Sequence, residues 1–409
     1  MPGPLDGLVV LDLSRALAGP HAAMMLGDLG ARVIKIESPG GDDSRGWGPP
    51  FVGRADAPEA TYFLSCNRNK ESVVLDLKSA GGRATLTGLV ERADVLVENF
   101  RTGVLDRLGF PIARLHELNP RLVVLSITGF GHDGPEGGRP GYDQIAQGEA
   151  GLMSLTGPAP DQPTRVGVPI ADLLAGMYGA YGVLAALHER ERTGHGGTVR
   201  TSLLAAVVGV HAFQGTRYTV AGEVGTAQGN HHPSICPYGA FHTADGIVQI
   251  SVGSEALWRR FAPLVALADD ERFATNADRV RRRPELVELL EAAFGVHPTE
   301  YWLPRLEQIG VPAGEVRGLD RVYGWDQTHS QRLLVDVEHA SLGQITLPGP
   351  PLRLFDLDGI EQVLDHLAPP VLGQHTGSVL AELAKLADLA GSDPAGGAPT
   401  GTGTGVGTK

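Results

Sequence analysis

Short runs of β-branched residues alternate with helical patterns in the first third of the chain, and this alternation restricts the possible folds more than any other feature. The runs are LVVLDL at 8–13, RVIKIE at 32–37, DVLVENF at 94–100 and RLVVLSITGFG at 121–131. Helical patterns such as PHAAMMLGDLG and AGGRATLTGLVERA lie between them. Strands that alternate with helices of this length predict βαβ units and a parallel sheet, and therefore an α/β fold.

The loops that follow these strands are the predicted place for a ligand, because parallel sheets bind ligands at the carboxyl ends of their strands. These loops hold Arg15, Glu37, Asn99 and Gly129. The loop after the first strand, SRALAGPHAAMM, lacks the G-x-G-x-x-G pattern of dinucleotide-binding proteins, and the G-x-x-x-x-G-K-[ST] phosphate loop is also missing. The sequence therefore argues against a dinucleotide dehydrogenase and against a P-loop enzyme.

The second half of the chain has a different pattern of predicted helices and strands. Long helices are predicted at 170–192 and roughly 202–220, and PYGAFHTADGIVQISVGS at 237–254 is typical of two strands joined by a turn. Helices around 255–267, 284–294 and 299–309 follow, with another strand pair near LLVDVEHASLGQITL. The predicted organisation is a large domain over 1–200, a linker helix over 201–225, a smaller α+β domain over 226–325, a return to the large domain over 326–390, and a disordered tail over 391–409 with almost nothing to bury.

Charge and cysteine content restrict the partners. A net charge of −13 argues against a general electrostatic grip on nucleic acid or on an anionic membrane. The helix at 170–192 contains Asp172 and several glycines, which favours a packed core helix over a membrane span. Cys66 and Cys236 make neither a disulfide framework nor a metal-ligand spacing, and they suit a reducing compartment. We therefore expect a cytoplasmic protein with no nucleic-acid partner, no membrane partner and no metal site.

Several longer motifs occur in a fixed order between about residues 4 and 385. They include PLDGLVVLDLSRALAGP, LGDLGARVIKIESPGGDDSRGW, NRNKESVVLDLK, ADVLVENFRTGVLDRLG, GYDQIAQGEAGLMSLTG, GNHHPSICPYGAFHTADG and LGQHT. Together they resemble the class III CoA-transferase family, which includes the formyl-CoA:oxalate and carnitine CoA-transferases and shares its fold with α-methylacyl-CoA racemase. The resemblance implies a Rossmann-like large domain, a smaller domain and an interlocked homodimer. It also implies CoA and acyl-CoA as substrates, a carboxylic acid as the second substrate, and no permanently bound cofactor.

One carboxylate, Asp172, stands at the head of the long apolar helix in PIADLLAG. From the residues alone it is read as an N-cap. The resemblance identifies it with the family's nucleophilic Asp, which implies that it attacks an acyl-CoA, carries CoA as an aspartyl-CoA thioester and passes it to a free acid. Because a helix N-terminus favours a charged carboxylate by ~0.3–1 kcal/mol, we expect Asp172 to be ionised near neutral pH.

The resemblance also implies which residues contact CoA. They are Leu17, Ala18, Leu75, Asp76, Lys78, Asn99, Phe100, Arg101, Arg107 and Tyr142. Arg101 and Arg107 are the predicted phosphate ligands, because a guanidinium group offers several donors to phosphate oxygens. Arg68 and Lys70 in NRNK are further basic candidates. The alternative, that such side chains are merely solvated, stays open.

Two other functions compete with CoA transfer. A racemase on the same scaffold would move an α-proton with a His/Asp pair, but Tyr142 stands where that His is expected, and a phenol of pKa ~10 exchanges protons poorly at neutral pH. His132 is a weaker candidate for the missing acid–base group. The third possibility is a non-catalytic CoA-binding homologue, against which an intact Asp172 counts. By resemblance, succinyl-CoA is the donor to test first, and Leu17 departs from the formate and oxalate enzymes.

Overall fold

The computed structural model describes residues 3–391 of the chain, so the predicted disordered tail lies outside the described residues except for Gly391, which ends the last helix. The strands are β1 Val9–Asp12, β2 Arg32–Glu37, β3 Phe51–Arg54, β4 Ala57–Ala60, β5 Lys70–Val74, β6 Val95–Glu98, β7 Val123–Thr128, β8 Gly197–Ser202, β9 Tyr238–His242, β10 Ile247–Ser251, β11 Ala313–Glu315, β12 Leu334–His339 and β13 Gly343–Pro348.

Helices separate most of these strands. They are α1 Ala18–Asp28, α2 Thr61–Leu64, α3 Ala80–Val90, α4 Val104–Arg107, α5 Ile112–Leu118, α6 Asp143–Glu149, α7 Leu152–Leu155, α8 Ile170–Thr193, α9 Leu203–Gly209, α10 Ala212–Ala221, α11 Glu255–Phe261, α12 Asn276–Arg281, α13 Arg283–Phe294, α14 Thr299–Gln308, α15 Leu319–Tyr323, α16 Asp326–Ser330 and α17 Thr376–Gly391.

A six-stranded sheet in the order β5-β2-β1-β6-β7-β8 forms the centre of the larger part of the molecule. Each neighbouring pair in it is parallel. The predicted α/β class is therefore confirmed, and the four predicted strands are β1, β2, β6 and β7. The sequence reading missed β5 and β8 as strands.

Apolar side chains project from both faces of the sheet, as expected for parallel strands covered by helices on each side. On β1, Val10 joins one hydrophobic cluster, whereas its neighbour Leu11 joins the cluster on the other face. Helices α1 and α8 pack over the first face. Since burying such a side chain contributes roughly 1.5–3 kcal/mol, these two layers fix the strand ends that carry the loops.

Helix α8 packs unusually close to its neighbours because it contains glycines on its buried face. A Cβ at Gly176 would lie 2.7 Å from the carbonyl oxygen of Ala18, and one at Gly179 would lie 2.9 Å from a methyl carbon of Leu125. By length and composition alone α8 could cross a membrane. Its close packing against α1, β7 and β8 is instead that of a core helix, which agrees with the prediction for 170–192.

A second core lies between residues 236 and 311. Strands β9 and β10 pack there with α11, α13 and α14 around aromatic residues such as Phe241 and Phe294, and β11 extends their antiparallel sheet. The predicted strand pair at 237–254 is confirmed as β9 and β10, and the later pair as β12 and β13. The helix predicted at 202–220 is divided into α9 and α10. The domain bounds and the interlocked dimer stay predictions.

Candidate active site

A cavity of about 860 Å³ opens at the carboxyl ends of the central strands. Glu37, which ends β2, and Arg15, Asn99 and Gly129, which follow β1, β6 and β7, all line it. This is the position predicted for a ligand site in a parallel sheet. Asp172, in the first turn of α8, lines the same cavity from the side of β7 and β8.

A buried ion-pair network holds the loop after β1 in its shape. Lys35 on β2 lies 2.9 Å from Asp42 and donates a hydrogen bond of 2.9 Å to the carbonyl of Ser14. Asp42 accepts the backbone N–H of Ala16 at 3.2 Å, and Ala16 has a φ of +64°, a left-handed conformation that is rare for alanine. Although burial disfavours its charge, Asp12 and Asp42 raise the pKa of Lys35 above its usual value. The loop that bears Arg15 is therefore held by fixed charges.

Two basic candidates from the sequence belong to this supporting layer and do not face the cavity. Lys70 is buried and lies 2.8 Å from Asp12. Arg68 is buried and forms a bidentate pair with Asp28, with Nε to Oδ1 at 2.8 Å and Nη2 to Oδ2 at 2.5 Å. Neither residue lines the cavity, because both cations are buried and already paired inside the protein.

The N-cap reading of Asp172 is also wrong. Helix α8 begins at Ile170, which makes Asp172 its third residue, and Asp172 makes no hydrogen bond with the described residues. Burial, reinforced by the charge of Asp143, raises the pKa of Asp172 from 3.8 to about 7. The helix N-terminus contributes less than one pKa unit in the opposite direction. Asp172 is therefore harder to ionise near neutral pH than expected from the sequence.

Asp143 performs the capping that was assigned to Asp172. Its Oδ1 accepts the backbone N–H of Ala171 at 2.8 Å, and its Oδ2 accepts the side-chain amide of Gln147 at 2.7 Å. Gln147 is fully buried, and its own oxygen accepts the backbone N–H of Val166 at 2.9 Å. The start of α8, the segment before it and α6 are thus joined by one polar network, which fixes the position of Asp172.

Aromatic side chains line the cavity near this carboxylate. Trp47 and Tyr62 pack edge to face with ring centroids 4.9 Å apart, and both line the cavity. Burial, followed by the charge of Asp172, raises the pKa of Tyr62, so its phenol stays protonated and is available as a hydrogen-bond donor. Tyr142, the residue before Asp143, also lines the cavity and is 65% exposed.

Most of the predicted CoA contacts lie together on the side of β5, β1 and β6. Ala18, Leu75, Asp76, Lys78, Asn99, Phe100 and Arg101 all line the cavity. Asn99 is fixed there, since it accepts the N–H of Arg15 at 2.8 Å and donates to the carbonyl of the same residue at 2.7 Å. Two predicted residues do not line it: Leu17 is only 5% exposed at the start of α1, and Arg107 projects from α4 outside the lining.

Other lining residues were not found from the sequence. They are Asp43, Trp47, Tyr62, Arg139, Asp143 and Arg165. Only Asp143 had a usable signal, because it directly follows Tyr142 in GYDQ. Arg139 is already paired with Glu149 and Glu136, whereas Arg165 has no carboxylate partner among the described residues.

His132, considered above as a substitute acid–base group, is held away from the lining. Its Nε2 lies 2.7 Å from the hydroxyl of Ser126, which also contacts the buried carboxyl of Glu98. Burial raises the pKa of Glu98 and lowers that of His132. Because its ring nitrogen is engaged with Ser126 and the residue is not part of the lining, His132 is poorly placed to move a substrate proton.

The fold and the cavity define a class of protein: an α/β enzyme with a carboxyl group and several cations around one large site at the strand ends. The comparisons with known proteins specify the class further. Residues 5–376 match the family model described as CoA-transferase family III. The crystal structure of a CaiB/BaiF family protein from Brucella suis superposes with a TM-score of 0.83 at 37% identity, covering 94% of this chain and 100% of that one.

Two relatives with similar full-length coverage carry functional names. The succinyl-CoA:glutarate CoA-transferase of Homo sapiens is 38% identical over 391 residues, 95% of this chain and 87% of the relative. The succinate–glutarate CoA-transferase of Agrobacterium fabrum is 40% identical over 386 residues, 93% of this chain and 96% of the relative. The chain belongs to CoA-transferase family III, and it is a CoA-transferase.

Proposed function

We propose that this enzyme moves CoA from an acyl-CoA thioester to a free carboxylic acid through an aspartyl-CoA intermediate on Asp172. One observation carries the proposal. Asp172 is a half-buried carboxyl group, free of hydrogen bonds to the described residues, that lines the same cavity as the cations Arg15, Lys78 and Arg101. A carboxylate is a suitable carrier, since it can form the same anhydride and thioester bonds as its substrates.

The chemistry proceeds by exchange of activated acyl groups. The carboxylate of Asp172 attacks the thioester carbonyl, the C–S bond breaks, and CoA leaves as a thiolate while an aspartyl–acyl anhydride forms. The thiolate then attacks the aspartyl carbonyl and releases the donor acid. The acceptor carboxylate attacks the resulting aspartyl-CoA thioester and expels CoA thiolate, and attack of that thiolate on the acceptor's carbonyl gives the new thioester and restores Asp172.

The raised pKa of Asp172 suits this cycle. A carboxylate stripped of water is a stronger nucleophile than a solvated one, and the neutral phenol of Tyr62 can donate a hydrogen bond to the negative oxygen that develops. Burial, reinforced by the charge of the neighbouring Asp143, raises the pKa of Asp172 to about 7, so the attacking carboxylate form increases as pH rises through neutrality. The cavity would therefore be most reactive at or above neutral pH.

We propose dicarboxylic acids as the substrate class, with succinyl-CoA as donor and glutarate as the first acceptor to test. Both named relatives are called transferases of succinate or succinyl-CoA and glutarate. The cations on the side of β5, β1 and β6 suit the phosphates of CoA, which is bound here as a substrate. A racemase is less well supported, since Tyr142 is the aromatic residue at the position of the required His and His132 lies outside the cavity lining.

The enzyme is also proposed to be a cytoplasmic homodimer. Two free and buried thiols suit a reducing compartment. Helices α8 and α10 leave large apolar side chains in solvent, including Tyr181 at 72% and Val220 at 84% exposed. Exposed apolar surface of this kind is typical of a protein interface, and light scattering on the purified protein would give the mass that tests it.

The experiment that tests the proposed function is intact-protein mass spectrometry after incubation with succinyl-CoA, glutaryl-CoA or acetyl-CoA. We expect a CoA thioester on the peptide that contains Asp172, discharged by added glutarate. Asp172→Ala should form no adduct, whereas Asp6→Ala, at an exposed carboxylate near the N-terminus, should form it normally. If no donor forms an adduct and substrate α-protons exchange in deuterated water, the racemase replaces this proposal.

A further inference from the structure

We propose that Arg165 binds the distal carboxylate of a dicarboxylic acid whose other end reacts at Asp172. This inference rests on the proposed function and names the residue that selects the substrate class. Arg165, Gly167, Pro169 and Asp172 all line the cavity, so one short segment carries both a cation and the reacting carboxyl group.

The segment that bears Arg165 is fixed relative to Asp172. Val166 donates its N–H to Gln147 at 2.9 Å, and Gln147 donates to Asp143 at 2.7 Å. Asp143 in turn accepts the N–H of Ala171 at 2.8 Å. The residue after Arg165 and the residue before Asp172 are therefore held by one chain of hydrogen bonds through a fully buried amide. These hydrogen bonds hold the backbone of Arg165 at a fixed distance from Asp172.

The guanidinium of Arg165 retains most of its donors. Its Nη1 makes long hydrogen bonds of 3.3 and 3.4 Å to the carbonyls of Val166 and Gly167. Its Nε and Nη2 have no hydrogen-bond partner, and no carboxylate lies within ion-pairing distance, among residues 3–391. A guanidinium with free adjacent donors fits the two oxygens of a carboxylate in a bidentate pair.

The other cations of the cavity are placed or occupied differently. Arg15, Lys78 and Arg101 follow β1, β5 and β6, whereas α8 packs against β7 and β8, and these three cations suit CoA phosphates. Arg139 lines the cavity but pairs with Glu149 and Glu136.

Within the described residues, Arg165 is thus the unpaired cation on the Asp172 side. It would offset the repulsion that Asp143 and Asp172 exert on a second carboxylate, whereas a monocarboxylic acid has no group for it to bind.

The test compares glutarate with pentanoate, an acid of equal chain length and one carboxylate, in wild type, Arg165→Gln, Arg165→Lys and Arg139→Gln. NMR titration of the CoA-saturated protein gives each Kd without any need for turnover, and transfer from succinyl-CoA or butyryl-CoA gives kcat/KM.

In wild type we expect glutarate to be preferred. Arg165→Gln should lower that preference about 10- to 100-fold while pentanoate binding stays unchanged. Arg165→Lys should restore part of it, and Arg139→Gln should keep it.

Separate outcomes identify separate failures. A wild type that binds both acids equally, an Arg165→Gln variant that keeps the preference, or an equal loss in Arg139→Gln would each overturn the role of Arg165. Failure of the proposed function would be seen in a different measurement. The protein would form no aspartyl-CoA adduct, yet it could still bind glutarate in preference to pentanoate through Arg165.

Discussion

Asp143 caps α8, the helix that carries Asp172, because Oδ1 of Asp143 accepts the backbone N–H of Ala171 at 2.8 Å. Asp143 does not neutralise the charge of Asp172, since both are carboxyl groups. The two carboxyl groups consequently face one cavity, and the charge of Asp143 adds to burial in raising the pKa of Asp172 to about 7. One residue thus helps to fix the position of the nucleophile and adds to the effect of burial on the pH at which it ionises.

The first prediction concerns the pH dependence of transfer. Because the carboxylate form attacks, kcat/KM for the donor should fall about tenfold per pH unit below roughly pH 7. Asp143→Asn removes the like charge, so the pKa of Asp172 should decrease and the acid limb should move to lower pH by roughly one unit or less. The substitution also places two amide nitrogens together at Gln147, which costs about 1 kcal/mol of stability. Asp161→Asn, at an exposed carboxylate, should leave the limb in place, and an unmoved limb in Asp143→Asn would contradict the assignment.

The second prediction concerns stability. The pKa of Asp172 is raised in the folded protein, so the folded state is favoured below the unfolded pKa of 3.8 and loses that stabilisation as pH increases towards about 7. Asp172→Asn carries no charge at any pH. Its unfolding midpoint should therefore exceed that of wild type by a few degrees at pH 8, with a much smaller difference at pH 4. Thermal melts at both pH values measure this, and a pH-independent difference would indicate that ionisation of Asp172 is not the cause.

The sequence predicted the sheet better than it predicted the site, for physical reasons. Strands β1, β2, β6 and β7 lie in runs rich in β-branched residues, whereas β5 begins with Lys70 and Glu71 and was missed as a strand. Lys70 looked like a surface cation because nothing local shows that Asp12, far away in the chain, neutralises it.

The raised pKa of Asp172 could not be predicted from the sequence either, since it depends on burial and on Asp143, a residue of another helix. No sequence pattern around Arg165 indicates a ligand site, and only its position in the folded cavity identifies it as a candidate for binding substrate.

The third prediction separates two arginines that the sequence treated alike. Arg101 lines the cavity, and Arg107 does not. Arg101→Gln should raise KM for the acyl-CoA about 10-fold or more, because a hydrogen bond to a charged group contributes roughly 1.5–3 kcal/mol. It should leave KM for the acid unchanged, and Arg107→Gln should change either value less than about twofold. Steady-state kinetics with both substrates varied distinguish the two, and equal effects would show that the phosphates lie outside the cavity described.

The fourth prediction concerns the buried charges beneath the loop of Arg15. Lys35 is fully buried and lies 2.9 Å from Asp42 and 3.8 Å from Asp12, so Lys35→Met leaves buried carboxylates without their cation. Loss of one partner of a buried pair costs about 3–5 kcal/mol. Although burial opposes it, the charge of Lys35 lowers the pKa of Asp42 in the wild type.

The stability from that carboxylate is therefore present above its unfolded pKa and is lost as pH falls through its folded pKa. Urea unfolding should show a large deficit for Lys35→Met at pH 7 and a smaller one near pH 3, where Asp42 of the variant is protonated. Lys78→Met, at an exposed lysine on the same cavity, should change the free energy of unfolding by less than about 0.5 kcal/mol. If Lys35→Met matched wild type at pH 7, the ion pairs would not be what holds the loop, and the left-handed Ala16 would need another support.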